Sequence, residues 1–336
     1  MRAMPKLENP VPVEVIGAGY YLPERILTNA DLERMVETSD DWIVERTGIH
    51  ERRIADETMS TSDMAVLAAR KALEHAQLAA EDVDMIICAT VTPDMMFPST
   101  ACLVQRGIEA RNAFAFDISA ACTGFIYALA TAYTYLASGY VGNALIIGAE
   151  KLSAITDYKD RNTCVLFGDG AGAVVLKRTG RAGHGIRDFI LESDGRNAHW
   201  LQVPAGGSRM PASTKSIGER LHYISMEGRE VFKFAVTAMK RTTVRIAERN
   251  NLKAEEITWL IPHQANKRII DAAAQALGLD QSHIHYNIHK YGNMSAASTA
   301  VGLAEVVLHY NLKEGDYLLL VAFGAGMTWG SLLIRW

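Results

Sequence analysis

Short, continuously apolar runs alternate along this chain with longer stretches in which apolar residues recur every three or four positions. The first pattern predicts buried strands and the second amphipathic helices. Apolar runs at Val13–Gly19, Val83–Thr90, Ala113–Ile118, Asn143–Glu150, Ala173–Leu176, Ile257–Ile261 and Tyr317–Phe323 read as strands, as do the more mixed stretches Ile186–Glu192 and His285–Ile288. Helical spacing marks a segment through Ala76 that Thr61 or Ser62 would cap, and the segments Thr100–Arg106, Thr123–Ser138, Gly228–Asn250, Lys267–Leu277 and Ala296–His309. Strands alternating with helices define an α/β fold, and strands without a polar face require helices on both sides of a sheet. The helix Thr123–Ser138 lacks a polar face (Phe125, Ile126, Leu129, Tyr133, Leu136), which places it inside a large core.

The strand pattern recurs. Val83–Ile87 matches Ile257–Ile261, Ala115–Ile118 matches His285–Ile288, and Leu145–Gly148 matches Leu318–Val321, in the same order and each about 170 residues apart. This predicts a duplicated unit, with halves at 13–178 and 179–336. It also makes Cys122 and Asn293 equivalent, each at a strand-to-helix turn, and sets His263 at the end of the strand equivalent to Val83–Ile87. If the halves pack about a pseudo-twofold axis, these turns meet at the interface between them.

Composition narrows the function classes. The chain has 336 residues, 49% of them hydrophobic, enough for a large core. A net charge of −4, from 34 basic and 38 acidic residues, argues against nucleic acid as a partner and confines anion binding to local clusters. The four cysteines, Cys88, Cys102, Cys122 and Cys164, have no paired spacing, as expected of a reduced, cytoplasmic protein. Met1–Pro12 carries charges and prolines but no apolar signal region, and no apolar run is long enough to span a membrane. His283, His285 and His289 lack a cysteine or acidic partner at ligand spacing, so no metal is expected. Gly168–Gly172 has the glycines of a dinucleotide loop but precedes a strand rather than a helix.

The candidate chemistry centres on Cys122. Unpaired backbone N–H groups and the positive end of the helix dipole favour a thiolate at a helix start, and Ala120, Ala121 and Gly124 leave room for a ligand. A buried, inert cysteine is the competing reading. Cys122 with His263 makes a nucleophile–base candidate, and Asn293 adds an amide donor. The three suit either a papain-like hydrolase or a thioester enzyme forming carbon–carbon bonds. The hydrolase signature around the cysteine is absent, and hydrolysis needs water where this helix is apolar. The Gly324–Gly326 turn and the Cys122 N–H offer backbone donors for an oxyanion hole.

Six motifs appear in order: Thr38–Ile49, Asp117–Phe125, Phe167–Ala173, Pro262–Asn266, Tyr291–Ser298 and Phe323–Gly330. Through them the chain resembles, over nearly its whole length, the β-ketoacyl-acyl-carrier-protein synthase III family, the initiating condensing enzymes of type II fatty acid synthesis. The resemblance implies a thiolase-like fold of two duplicated α/β halves in α-β-α-β-α layers, and decarboxylative condensation of a short acyl-CoA with malonyl-acyl carrier protein. It implies acylation at Cys122, enolate stabilisation by His263 and Asn293, and an oxyanion hole from Cys122 and Ala325. CoA would lie on Thr38, Trp42, Arg46, Arg161, Phe232 and Asn266, and the carrier protein on Lys233 and Arg268. Phe97 would bound the acyl pocket across a homodimer interface, and acyl-CoA would be a substrate, with no cofactor. A pathway-specific relative, priming a polyketide or acylating oxygen or nitrogen, is the alternative. The family's Gly-Asn-Thr-Ser here reads Gly292-Asn-Met-Ser295, Arg229 stands where some members have Asn, and Gln275 and Ala276 where some have Lys.

Overall fold

The computed structural model describes residues 5–336; the first four positions of the Met1–Pro12 stretch lie outside them. Two sheets carry the architecture. The first contains β1 (Val13–Tyr21), β2 (Met85–Ala89), β3 (Phe114–Ile118), β4 (Asn143–Lys151) and β5 (Asp169–Arg178), in the order β1-β5-β4-β2-β3. The second contains β6 (Gly185–Ser193), β7 (Ile257–Pro262), β8 (Tyr317–Gly324) and β9 (Thr328–Arg335), in the order β6-β9-β8-β7. Read from the first strand of each, the orders coincide, and so do the directions. β1/β5 and β5/β4 are antiparallel and β4/β2 parallel, while β6/β9 and β9/β8 are antiparallel and β8/β7 parallel.

The fifth position differs. β3 pairs with β2 over five residues, whereas its expected counterpart at His285–Ile288 is reduced to one bridge, Leu260 to Ile284. The chain then turns into a short helix, because the polar side chains of His285 and Asn287 face inward to Glu305 and the backbone N–H groups of Asn287 and Ile288 bond to Gln264 rather than to a strand.

Eight helices position the site: α1 (Asp40–Thr47), α2 (Thr61–Ala76), α3 (Thr100–Ile108), α4 (Gly124–Ser138), α5 (Gly228–Arg249), α6 (Lys267–Leu277), α7 (Ile288–Tyr291) and α8 (Ala296–His309). The side chain that caps α2 is Ser60, one residue before the expected pair; its hydroxyl accepts from Asp63 N and the Asp63 carboxylate accepts in return. The central layer is α4 and α8. Phe125, Ile126, Leu129 and Leu136 of α4 and Leu303 and Val306 of α8 share one core with residues of both sheets, including Ile87, Ile146, Val174, Ile261, Leu320 and Leu332. α2 and α3 cover the outer face of the first sheet, and α5 and α6 that of the second. This gives the expected α-β-α-β-α layering.

Glycines allow the central contact. A Cβ on Gly172 of β5 would lie 2.4 Å from the Ala300 carbonyl carbon, and one on Gly148 of β4 would lie 2.6 Å from the Ala296 oxygen. Both neighbours are helix backbone, which cannot step aside. Gly172→Val should therefore destabilise the fold by about 3 kcal/mol, since forced overpacking costs on that scale. The denaturation midpoint reads this directly; an unchanged midpoint would show that α8 does not rest on β5.

Candidate active site

Three loops at strand and helix ends meet at one cavity of about 850 Å³. Cys122 enters on a single 3₁₀ turn, Ala121–Thr123, between β3 and α4. His263 follows the last residue of β7, and its N–H donates to Val321 O at 2.7 Å. Asn293 lies between α7 and α8, with its N–H on Leu166 O and its carbonyl accepting from Gly168 N. All three line the cavity and are 9%, 1% and 7% exposed, respectively. Ser295, Phe323, Gly324 and Ala325 complete this buried end.

The backbone there is unusual. Ala121 and Ser295 have φ of 47°, which is rare for residues with a Cβ and is seen where a site dictates the geometry. At Ser295 the strain has a visible return: its N–H donates to Asn293 Oδ1 at 2.8 Å. That bond consumes the amide oxygen. It leaves the Asn293 NH₂ with no hydrogen bond among the described residues and free to face a ligand. Gly324 closes the other side. A Cβ there would lie 2.7 Å from Cys122 N, so only glycine lets the two backbones approach this closely.

Charge state separates the nucleophile from its sequence expectation. Burial pushes the Cys122 thiol up to about 12; the nearby Ser295 hydroxyl pulls it back in part, and the Glu150 carboxylate adds to the rise. Ser295 Oγ makes no aligned hydrogen bond to either neighbour. Burial thus works against the thiolate expected at the helix start. Burial likewise lowers His263 to about 3. Neither of its ring nitrogens has a partner, although the ring is fully enclosed and meets the edge of Phe323 at 5.8 Å between centroids. The resting site therefore holds a neutral thiol and a neutral imidazole with one donor and one acceptor unspent.

Two pH effects follow. His263 stays unprotonated as pH falls from about 8 to about 5, so transfer of acyl to Cys122 should show no histidine inflection there. Glu150, fully enclosed behind the site, is raised by burial to about 7 against the pull of hydrogen bonds from Thr92, Val91 and Thr90. An inflection near 7 should disappear in Glu150→Gln. A break near 6.5 that persists in that variant would place His263 in its ordinary range and contradict the neutral, buried base.

The outer end is cationic. Arg46, Arg229, Lys233 and Arg268 are exposed and line the cavity. Trp42 carries two guanidinium groups, with Arg161 Cζ 4.7 Å and Arg46 Cζ 5.0 Å from its ring centroid. Arg268 stacks on Phe232 at 4.9 Å. Asn266 caps α6 through Arg268 N and donates Nδ2 to Arg46 O at 2.8 Å, tying α1 to α6 across the mouth.

Of the residues expected at the CoA site, Trp42, Arg46, Phe232 and Asn266 line the cavity. Arg161 reaches it only through Trp42, and Thr38 stands apart, its Oγ1 enclosed without a partner. Phe97 is 84% exposed and does not line the cavity of its own chain. Met294, the departure beside the amide, points away into a cluster with Tyr291, Ala297 and Val301, so it leaves the cavity wall unchanged. Ser295, Phe167 and Val91 were not anticipated as lining residues. The first two lie inside motifs whose other members were singled out, and Val91 carries no signal in its own residue type. Among the described residues no group of three or more His, Cys, Asp or Glu side chains comes together in a way that could hold a metal ion.

Two sheets of matching strand order, with a cysteine at the strand-to-helix turn before α4 and an asparagine at the helix-to-helix turn before α8 over a shared cavity, define a thiolase-like condensing enzyme. The chain belongs to the β-ketoacyl-acyl-carrier-protein synthase III family. Residues 116–195 match the model of 3-oxoacyl-[acyl-carrier-protein] synthase III, and residues 247–336 that of its C-terminal part. The β-ketoacyl-[acyl-carrier-protein] synthase III of Caldanaerobacter subterraneus subsp. tengcongensis is 56% identical over 96% of this chain and 97% of its own. The crystal structure of 3-oxoacyl-[acyl-carrier-protein] synthase III from Aquifex aeolicus VF5 superposes with a TM-score of 0.88 at 47% identity, over 96% of this chain and all of that one. That of the Thermus thermophilus enzyme gives 0.89 at 46%, over 96% and 99%.

Proposed function

We propose that this site joins a short acyl-CoA to malonyl-acyl carrier protein, releasing CoA and CO₂ and giving a β-ketoacyl-acyl carrier protein. The observation that carries the reading is one cavity whose buried end holds an unpartnered imidazole and a free amide donor beside a thiol, under a cationic mouth. Cys122 Sγ attacks the acyl-CoA carbonyl as its proton passes to neutral His263 and on to the departing CoA sulfur. The backbone N–H groups of Cys122 and Ala325 receive the carbonyl oxygen. In the second half, the His263 N–H and the Asn293 NH₂ donate to the malonyl thioester oxygen. The carboxylate leaves as CO₂, its bonding pair becomes the enolate, and that carbon attacks the acyl-cysteine while Sγ departs and takes up a proton from solvent, which restores the thiol. Two donors aimed where charge develops lower this barrier more than they stabilise the ground state. An enclosed site also protects the carbanion and the acyl-enzyme from water. No cofactor takes part.

Trp42 and its flanking guanidinium groups suit a planar, anionic nucleotide, with Arg46 and Arg161 on the ring or phosphates and Phe232 and Asn266 along the arm; Thr38, apart from the cavity, has no contact to offer there. Lys233 and Arg268 at the mouth suit an acidic carrier protein. The exposed Phe97 side chain and the edge strand β3, whose Phe114 and Phe116 stack at 6.4 Å, suit a second copy of the chain. Phe97 would then close the partner's acyl pocket. We read the halves as 13–178 and 179–336. Among the described residues no helix is long and apolar enough to cross a membrane and the four cysteines are free thiols, which supports a place in the cytoplasm. A series of acyl-CoA lengths with malonyl-acyl carrier protein tests the reading. Condensation should be fastest with short acyl groups and fall as length increases; no β-ketoacyl product with any of them would overturn it.

A further inference from the structure

A second polar cluster lies behind the two donors, and no step above uses it. Glu305, on α8, is 8% exposed. Its Oε2 accepts from Asn287 Nδ2 at 2.8 Å and lies 2.9 Å from His285 Nε2, and its Oε1 accepts from the Tyr291 hydroxyl at 2.9 Å. Gln264, wholly enclosed, joins this cluster to the histidine loop. Its Oε1 accepts from Asn287 N and Ile288 N, and its Nε2 donates to the carbonyls of Pro262 and His285. Gln264 follows His263 directly, and Tyr291 precedes Asn293 by two residues. The two donors thus sit on adjacent loops stitched to a single carboxylate.

We propose that Glu305 is a positioning residue for the decarboxylating half of the reaction, holding the loops of His263 and Asn293 at a fixed separation. The inference rests on the roles given to those two residues above. An oxygen clamped by two donors is sensitive to their spacing, and small misplacements of reacting groups cost large factors in rate. Cys122 is held differently. Its turn is fixed by Thr328, whose hydroxyl donates to Ala120 O at 3.1 Å, and by the close approach of Gly324. His263 also carries a proton in the first half, but only the second half needs both donors at one oxygen, so loosening Glu305 disturbs the second half more than the first. A carboxylate serves where an amide would not. It accepts from all three neighbours, whereas Gln must turn an NH₂ toward one of these donors. Although burial opposes ionisation, the hydrogen bonds from His285, Asn287 and Tyr291 hold Glu305 below the usual carboxylate range.

The test measures the two half-reactions separately on the full-length protein: acyl transfer from acetyl-CoA to Cys122 in a single turnover, and CO₂ release from malonyl-acyl carrier protein. In Glu305→Gln, CO₂ release should fall about 10- to 100-fold while acyl transfer stays within about threefold of the unaltered protein. Equal losses in both halves, or no loss in CO₂ release, would overturn the proposal. Tyr291→Phe removes one donor from the same carboxylate and keeps the ring, so it should give a smaller split of the same sign. It decides the matter if Glu305→Gln fails to fold, and an absent split there counts against the proposal. Asn293→Ala is run alongside. If it keeps full CO₂ release, the assignment of the donors has failed. If it loses CO₂ release while Glu305→Gln does not, only the positioning role has.

Discussion

With Cys122→Ser, acetyl-CoA should leave no acyl adduct, and overall condensation should fall by at least about 10³-fold, the scale on which loss of a nucleophile acts. The charge states of the site explain the size of this effect. The thiol rests protonated at about 12 and the imidazole beside it is lowered to about 3, both through burial. The proton moves only as the new bond forms, so the attacking atom must be polarisable and intrinsically nucleophilic. A hydroxyl in the same position is less acidic than the thiol and meets the same weak base. Retention of an adduct on the serine variant would show that burial does not govern the site in this way.

Asn293→Ala should behave in the opposite sense. Acyl transfer to Cys122 should proceed, while decarboxylation and condensation drop by about 10²- to 10³-fold, as when one oxyanion donor is removed. The Asn293 amide oxygen is already committed to Ser295 N, so its NH₂ has no duty besides the ligand. Burst amplitude with acetyl-CoA and steady-state condensation separate the two outcomes. Normal condensation in this variant would remove Asn293 from the enolate.

The sequence was most informative where one residue type must stand at one place. Cys122, His263 and Asn293 were legible because each lies within a motif next to a predicted element, and the repeat placed two of them at equivalent positions. The runs marked every strand of the two sheets except β9, because strands covered on both faces leave little polar side to obscure the pattern. Failures came where a residue's surroundings decide its behaviour. His285–Ile288 alternates like a strand, but His285 and Asn287 turn to Glu305, a partner that chain order does not reveal. The acidity of Cys122 depends on how completely the cavity wall excludes water, which a helix-start argument does not measure. The two guanidinium groups flanking Trp42 come from α1 and from Arg161, more than a hundred residues apart in sequence, and only the fold brings them to one ring.

The central claim is that one cysteine carries the acyl group between two half-reactions. Intact-mass measurement of the unaltered protein after acetyl-CoA, followed by addition of malonyl-acyl carrier protein, tests it most directly. The protein should gain one acetyl group, located on the peptide containing Cys122, and should lose it as acetoacetyl-acyl carrier protein appears. Condensation without any acyl adduct, or an adduct on another residue, would contradict it.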